Sequence, residues 1–456
     1  GRNRADAAEG PEPSGRRGGA GTERTPRPAE NGVFARGREL DPMSHDRRES
    51  GFKRRTRVAD ARAALLDAVA AHDRTEAVPV GAADGRVVAE PIDAPAPVPG
   101  YDRAAMDGYA VRADDTFGAG DRSPAVLTAK PTESDAVAPG EAARVHTGSA
   151  VPEGADAVVM VEQVEQVGGE VEVFDAVATG ENVGEAGEDV ADGQRLYEPG
   201  HVLRPSDLGL LRSVGLDRVA VREPPEVAVI PTGEELVESD PGPGEVIETN
   251  GLTVSRLVER WGGEARYRDV VTDDPDALRE AVAADLDADV VVTTGGSSVG
   301  ERDLLPEVVE DLGEVLVHGV ALKPGHPVCL GRAEGTPIVS LPGYPVACIV
   351  NAAQFLRPAL KRAGGTTAEP FPTRRATLGR KVASEPGVRT FARVTLVESD
   401  GDGEEAALPT ATPTRASGSG ILSSVALADG WVVVPEPREG LDAGEPVDVE
   451  LWEVTQ

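Results

Sequence analysis

The chain has 456 residues, 79 acidic side chains against 46 Lys and Arg for a net charge of −33, and only 3 Trp, 5 Tyr and 7 Phe. That charge excludes a duplex-binding protein, whose affinity would rest on neutralising phosphates, and so few aromatics leave no stacking platform for single strands. The length is enough for about three domains with substantial cores.

No run of ~18 apolar residues is present to span a bilayer, and the basic N-terminal stretch has no apolar h-region, so no membrane association is expected. Cys329 and Cys348 sit in apolar stretches, a usage that fits a reducing compartment, hence the cytoplasm, rather than a disulfide scaffold. Lys occurs only at positions 53, 130, 323, 361 and 381, and all other cations are Arg. An acid excess with scarce Lys suits a halophilic protein, in which salt screens self-repulsion; a GC-rich genome would produce a similar composition.

In chain order, residues 1–42 are rich in Arg, Gly and Pro with little to bury, the composition of a disordered tail. The first Met is Met43, which is expected to be the natural start, with 1–42 a tail or a non-native extension. Val58, Ala61, Ala64, Leu65, Ala68 and Val69 recur at three and four residues and predict a helix ending at His72–Asp73. Residues 78–102 read as strand broken by Gly and Pro, and 103–190 as short β runs separated by Gly/Asp turns. PSDLGLLRSVG (205–215) reads as a short helix before the strand VAVR. After Pro224–Pro225 strands and helices alternate: EVAVIP, NGLTVSRLVERW, ARYRDVV, DDPDALREAVAADL, ADVVVTT, PEVVEDL, EVLVHGVAL, PIVSLP and VACIVNAAQFLRPAL. Such alternation predicts a parallel sheet with helices on both faces and ligands at the carboxyl ends of its strands. Residues 366–456 return to short strands.

Three strand-end turns of the α/β region carry polar residues with little bulk. They are Pro231-Thr232-Gly233-Glu234-Glu235, Thr294-Gly295-Gly296-Ser297-Ser298-Val299-Gly300-Glu301-Arg302-Asp303, and Leu341-Pro342-Gly343-Tyr344-Pro345. Glycine lets backbone N–H groups approach an anion, and Ser297 and Ser298 add hydroxyl donors, so the second turn reads as a phosphate or oxyanion cradle. It is neither a Walker A nor a dinucleotide fingerprint. Alternating topology places Glu235, Asp273 and Asp303 at the same edge. Carboxylates beside an anion cradle suit Mg2+, which is held by one or two acids plus substrate phosphate oxygens. Lys323, in Lys-Pro-Gly-His-Pro, is a rare cation placed to meet an anionic ligand. The six His form no metal framework.

At these residues the chain resembles the molybdopterin molybdotransferase family, the MoeA-type proteins and the gephyrin E domain. The likeness runs from about Thr56 to the C-terminus. It rests on AAMDGYAV, HTGSAVPEGADAVVMVEQ, GEDVADG, IPTGEEL, TTGGSSVGERD, LKPGHP, LPGYPV and GSGILSSVALADGWVVVP in that order. The resemblance implies a transferase of molybdenum cofactor biosynthesis that inserts molybdate (or tungstate) into adenylylated molybdopterin, releases AMP and requires Mg2+. It implies an elongated multidomain α/β plus β fold: an N-terminal segment at 43–75, a linking domain at 76–93 and 191–225, an inserted β-rich domain at 94–190, a central doubly wound parallel-sheet domain (MogA-like) at 226–365, and a C-terminal β-barrel at 366–456. It implies a homodimer whose site is shared between subunits, with the molybdopterin adenylyltransferase as a possible partner.

Carried over by motif, Asp107, Asp189, Glu235 and Asp303 are the catalytic candidates, and Glu235, Asp273 and Asp303 the metal ligands. Thr147, Thr232, Gly233, Gly295, Gly296, Ser297, Ser298, Lys323, Pro342, Pro345, Arg393 and Ser419 are candidate substrate contacts. Four departures stand out: Tyr344 where the family often has Asn, His326 where it has Lys, Ser297-Ser298 where Gly-Val-Ser is usual, and Ala104-Ala105-Met106 without the family's Ser. An adenylyltransferase sharing only the α/β domain, and a scaffold without turnover, are the competing readings.

Overall fold

In the computed structural model, residues 55–131, 134–295, 304–398, 408–414 and 419–454 are described. The expected tail, Met43, Gly296, Ser297, Ser298 and Asp303 lie outside them.

The strands Glu226–Pro231, Val290–Thr294 and Thr336–Leu341 are near-continuous apolar runs and are buried almost throughout, as strands covered on both faces must be. They form the middle of a six-stranded sheet, ordered Glu264–Tyr267, Glu226–Pro231, Val290–Thr294, Thr336–Leu341, Cys329–Ala333, Gly313–His318. The first four strands run parallel. Alternate residues face opposite layers. Val227, Val229, Val290, Val292 and Val339 pack with the helices Val58–Asp67, Asn250–Arg260 and Pro345–Asn351. Ala228, Ile230, Val291 and Ile338 meet Val282 and Val309, from the helices Pro275–Ala283 and Leu305–Leu312. The domain is therefore doubly wound. Its sheet also contains one strand absent from the sequence reading: Cys329–Ala333 runs antiparallel to both neighbours. Glu334 and Gly335, both at positive φ, close the two-residue hairpin to Thr336.

Two antiparallel pairings, Thr75–Pro79 with Arg218–Arg222 and Ile92–Asp93 with Arg195–Tyr197, join stretches distant in sequence. Around the helix Pro205–Ser213 they share a core of Val78, Val80, Val88, Ile92, Leu203, Leu211, Val219 and Val221. The chain between them forms a separate six-stranded sheet over Tyr109, Val111, Leu127, Val159 and Val171. At the C-terminal end, Thr373–Leu378, Arg389–Val397, Thr410–Pro413, Gly430–Val434 and Pro446–Glu450 close a five-stranded barrel, because Arg389–Val397 pairs with both Thr410–Pro413 and Gly430–Val434. Trp431 is fully buried and stacks on Trp452 at 5.0 Å between ring centroids. Among the described residues no helix is long and apolar enough to cross a membrane.

Candidate functional site

Strand register builds the site. Pro231 lies opposite Thr294, and Thr294 opposite Leu341, so the three strand-end turns stand side by side. The Thr232 N–H donates to the Thr294 carbonyl at 3.4 Å and the Gly295 N–H to the Leu341 carbonyl at 3.1 Å. Gly295 has φ +135°, and a Cβ there would sit 2.0 Å from the Thr232 carbonyl oxygen; only glycine permits that approach. Thr232 and Thr294 are each 1% exposed, and neither hydroxyl has a hydrogen-bond partner among the described residues. Buried hydroxyls are normally paired; those of Thr293 and Ser340, on the same and the adjoining strand, are likewise unpaired among the described residues.

The third turn is braced from two sides. Asn250 Nδ2 donates to the Gly343 carbonyl at 2.7 Å, and the Val346 N–H, in the first turn of the helix behind Pro342 and Pro345, donates to the Ser419 carbonyl at 3.0 Å. The barrel segment carrying Ser419 is thus brought to the α/β edge of its own chain. Tyr344 is 65% exposed, with its ring beside Gly420.

Of the acids, Glu235 is exposed and its carboxylate folds back over Gly233, with Oε2 2.8 Å from where a Cβ on Gly233 would stand. Asp273 lies on the adjoining loop, which the Gly233 N–H holds through the Val271 carbonyl at 3.1 Å. Asp274, its neighbour, caps the next helix by accepting from Asp276 and Ala277, the helix-start role that an Asp before Pro signals. Among the described residues no group of three or more His, Cys, Asp or Glu stands ready to hold a metal. Sequence reasoning missed Glu248, which is 8% exposed. It accepts from the Gly251 N–H at 2.6 Å and from the Tyr267 hydroxyl. Burial and this carboxylate push the Tyr267 phenol well above its ordinary pKa. An anion at a helix start is favoured by the exposed N–H groups there, and a Glu two residues before Asn250 is the signal that could have found it.

Lys323 is exposed, with Nζ 3.4 Å from Glu385 Oε1. The two-residue strand Leu322–Lys323 runs beside Arg389 and Thr390 of the barrel, so this turn joins the two domains. Arg393 stands on the barrel wall opposite Trp431, and burial lowers the pKa of its guanidinium.

Asp107 and Thr147 meet in the inserted sheet. Asp107 Oδ1 accepts from the Thr147 N–H at 2.7 Å and from its hydroxyl at 2.8 Å. Those two donors, backbone first, with help from His146 and Arg144, hold the Asp107 carboxyl below its ordinary pKa. Asp189 is exposed on an adjoining loop, its N–H bonded to the Val98 carbonyl at 3.0 Å. The hydrogen bonds and ion pairs of the described residues of 94–190 close within residues 94–194. Among the described residues, this rim therefore makes no polar contact with the sheet-edge turns of its own chain.

The fold and these turns define a protein built on a doubly wound α/β domain, with an inserted β sheet and a closed β-barrel. Three family models match in succession: the MoeA N-terminal region (domain I and II) at 56–215, the "Probable molybdopterin binding domain" at 228–362, and the MoeA C-terminal region (domain IV) at 375–452. Molybdopterin molybdenumtransferase 2 of Mycobacterium tuberculosis is 33% identical over 401 residues, covering 83% of this chain and 95% of its own. The molybdopterin molybdenumtransferase of Haemophilus influenzae is 32% identical over 403 residues, covering 86% and 97%. A crystal structure of the molybdopterin biosynthesis MoeA protein from Pyrococcus horikosii superposes with a TM-score of 0.74 at 35% identity, covering 88% of this chain and all of that one. The chain belongs to the MoeA family of molybdopterin molybdenumtransferases, transferases of molybdenum cofactor biosynthesis.

Proposed function

We propose that this chain inserts molybdate, or tungstate, into adenylylated molybdopterin and releases AMP, in a Mg2+-dependent reaction at a site completed by a second copy of the chain. The stack of strand-end turns carries this reading. Gly295 lets its turn pack directly on the Thr232 carbonyl, and the buried hydroxyls of Thr232 and Thr294, unpaired among the described residues, could donate to an anion at this edge. Lys323, on the turn between the α/β domain and the barrel, supplies a cation to the same multiply charged substrate. Cleavage of a pyrophosphate then depends mainly on positioning and charge stabilisation.

Glu235 and Asp273, on loops tied by the Gly233–Val271 bond, are oxygen donors of the kind Mg2+ takes, and Asp303 would join them. Two carboxylates completed by phosphate oxygens and water match its usual coordination; bound there, the ion would neutralise pyrophosphate charge.

Asp107 is held ionised by Thr147. A depressed pKa makes it a weak base and a good acceptor, suited to orienting water or molybdate oxygen. Because the rim of Asp107, Thr147 and Asp189 makes no polar contact with the sheet edge among the described residues, a second subunit is the natural supplier of these groups. The adenylyltransferase that makes the precursor is the expected protein partner.

The test is AMP release from adenylylated molybdopterin in high salt with Mg2+, with and without molybdate and then tungstate. Release that depends on the oxyanion is expected, and Asp107→Asn should lower it about a hundredfold, the cost of losing an orienting contact. Tight binding without release would favour a scaffold, and a requirement for ATP an adenylyltransferase.

A further inference from the structure

The helix Pro345–Asn351 starts at the third strand-end turn, and its last residue reaches a different turn. Asn351 is fully buried. Its Nδ2 donates to the Ala347 carbonyl at 2.8 Å, one helical turn back, and to the Gly325 carbonyl at 3.0 Å, inside Lys-Pro-Gly-His-Pro. Both groups it faces are carbonyl oxygens, so only its NH2 can be turned toward them. Its Oδ1 is left buried with no partner among the described residues. An apolar residue of similar volume would pack here without an orphaned oxygen; the amide's distinctive contribution is the link to Gly325.

Gly325 has φ +105°, and a Cβ on it would stand 2.1 Å from Asn351 Nδ2 and 3.1 Å from the Ala347 Cβ. The turn is therefore pressed against the helix at Gly325. The Val320 N–H closes the same turn on the His326 carbonyl at 2.8 Å. From Pro345 to Asn351 is about 9 Å at a rise of ~1.5 Å per residue, so one short helix spans from the sheet-edge turn to the Lys323 turn. Directly after Asn351 the chain enters a π turn, Ala352–Leu356, a feature frequent at functional sites.

We propose that Asn351 is a positioning residue, fixing the Lys323–Pro327 turn against this helix and so setting where the Lys323 ammonium stands relative to the sheet-edge turns. The inference rests on the reading of Lys323 as a contact to the anionic substrate.

The test compares wild type, Asn351→Leu, Lys323→Ala and the double variant of the full chain by AMP release and by amide hydrogen exchange. Asn351→Leu should lower kcat/KM roughly ten- to hundredfold, the cost of a misplaced contact. The double variant should be no worse than Lys323→Ala alone, since both changes act through one group. Exchange at Val320 and across 323–327 should accelerate at least tenfold in Asn351→Leu and stay at the wild-type rate in Lys323→Ala. Should Asn351→Leu fail to fold, Asn351→Thr serves: its hydroxyl can bond the carbonyl one turn back but is too short for Gly325. Unchanged exchange, or additive losses in the double variant, overturns the proposal. Full activity of Lys323→Ala overturns instead the assignment of Lys323, and with it any catalytic meaning of the Asn351 bond.

Discussion

Replacing Gly295 with Ala probes the strand-end stack most directly. The new Cβ would meet the Thr232 carbonyl oxygen at 2.0 Å, whereas real Cβ contacts essentially never fall below 3.0 Å, so the two turns must part by about 1 Å. Two costs add. Holding a non-glycine residue at φ +135° costs about 1–3 kcal/mol. Parting the turns weakens the Thr232–Thr294 and Gly295–Leu341 backbone bonds, each contributing about 1 kcal/mol net. A loss of about 3 kcal/mol is expected, together with loss of AMP release. Gly118→Ala is the control, because Gly118 has φ +81° and nothing within 4 Å of a Cβ. It incurs the backbone penalty alone, about 1–2 kcal/mol. Urea unfolding at fixed salt measures both. Equal shifts for the two variants would refute the view that close backbone approach builds this edge, as would a Gly295→Ala protein with unimpaired turnover.

Two further expectations concern pH and salt. Burial alone would raise the pKa of Asp207, but the Arg204 guanidinium, His201 and the Arg204 N–H outweigh it and hold the carboxyl well below its usual range. The unfolded chain then takes up the proton first, so the stabilisation is complete above about pH 4 and is lost as pH falls below it. Asp207→Asn should destabilise at pH 7 by about 1–3 kcal/mol, and the effect should begin to shrink below about pH 4 but only in part by about pH 3, because the native carboxyl is still ionised there; an effect that does not shrink as pH falls below about 4 would contradict the assignment. If the charge of −33 is an adaptation to salt, the thermal midpoint should rise between about 0.15 M and 1 M NaCl, where the screening length falls from about 8 to 3 Å. Greatest stability at the low end would count against it.

Much of the molecule was legible locally. The three-and-four spacing of Val58, Ala61 and Leu65 marks a helix whose buried side is those residues. The unbroken runs VAVIP and VVVTT mark strands buried on both faces. Glycine at 295 anticipates a position that tolerates no Cβ. Less was legible where a residue acts through a distant neighbour. Glu248 and Asn351 look like ordinary helix-end and helix residues, and only the approach of Tyr267 and Gly325 reveals what they hold. The strand Cys329–Ala333 escaped because its Gly331 and Arg332 interrupt the apolar run, leaving Glu334-Gly335 as its sole local marker.

The sequence by itself determined the periods, the turns and the chemistry available at them, because helix, strand and turn preferences are set within a few residues. The tertiary structure decided which turns are neighbours. The order Glu226–Pro231, Val290–Thr294, Thr336–Leu341 skips strands that lie between them in the chain. Such order and register follow from burying apolar faces against distant partners, a long-range choice that no local window contains. The same holds for the Ser419 carbonyl at the start of the helix Pro345–Asn351, and for the pairing of Thr75–Pro79 with Arg218–Arg222 that leaves the sheet bearing Asp107 as an insertion.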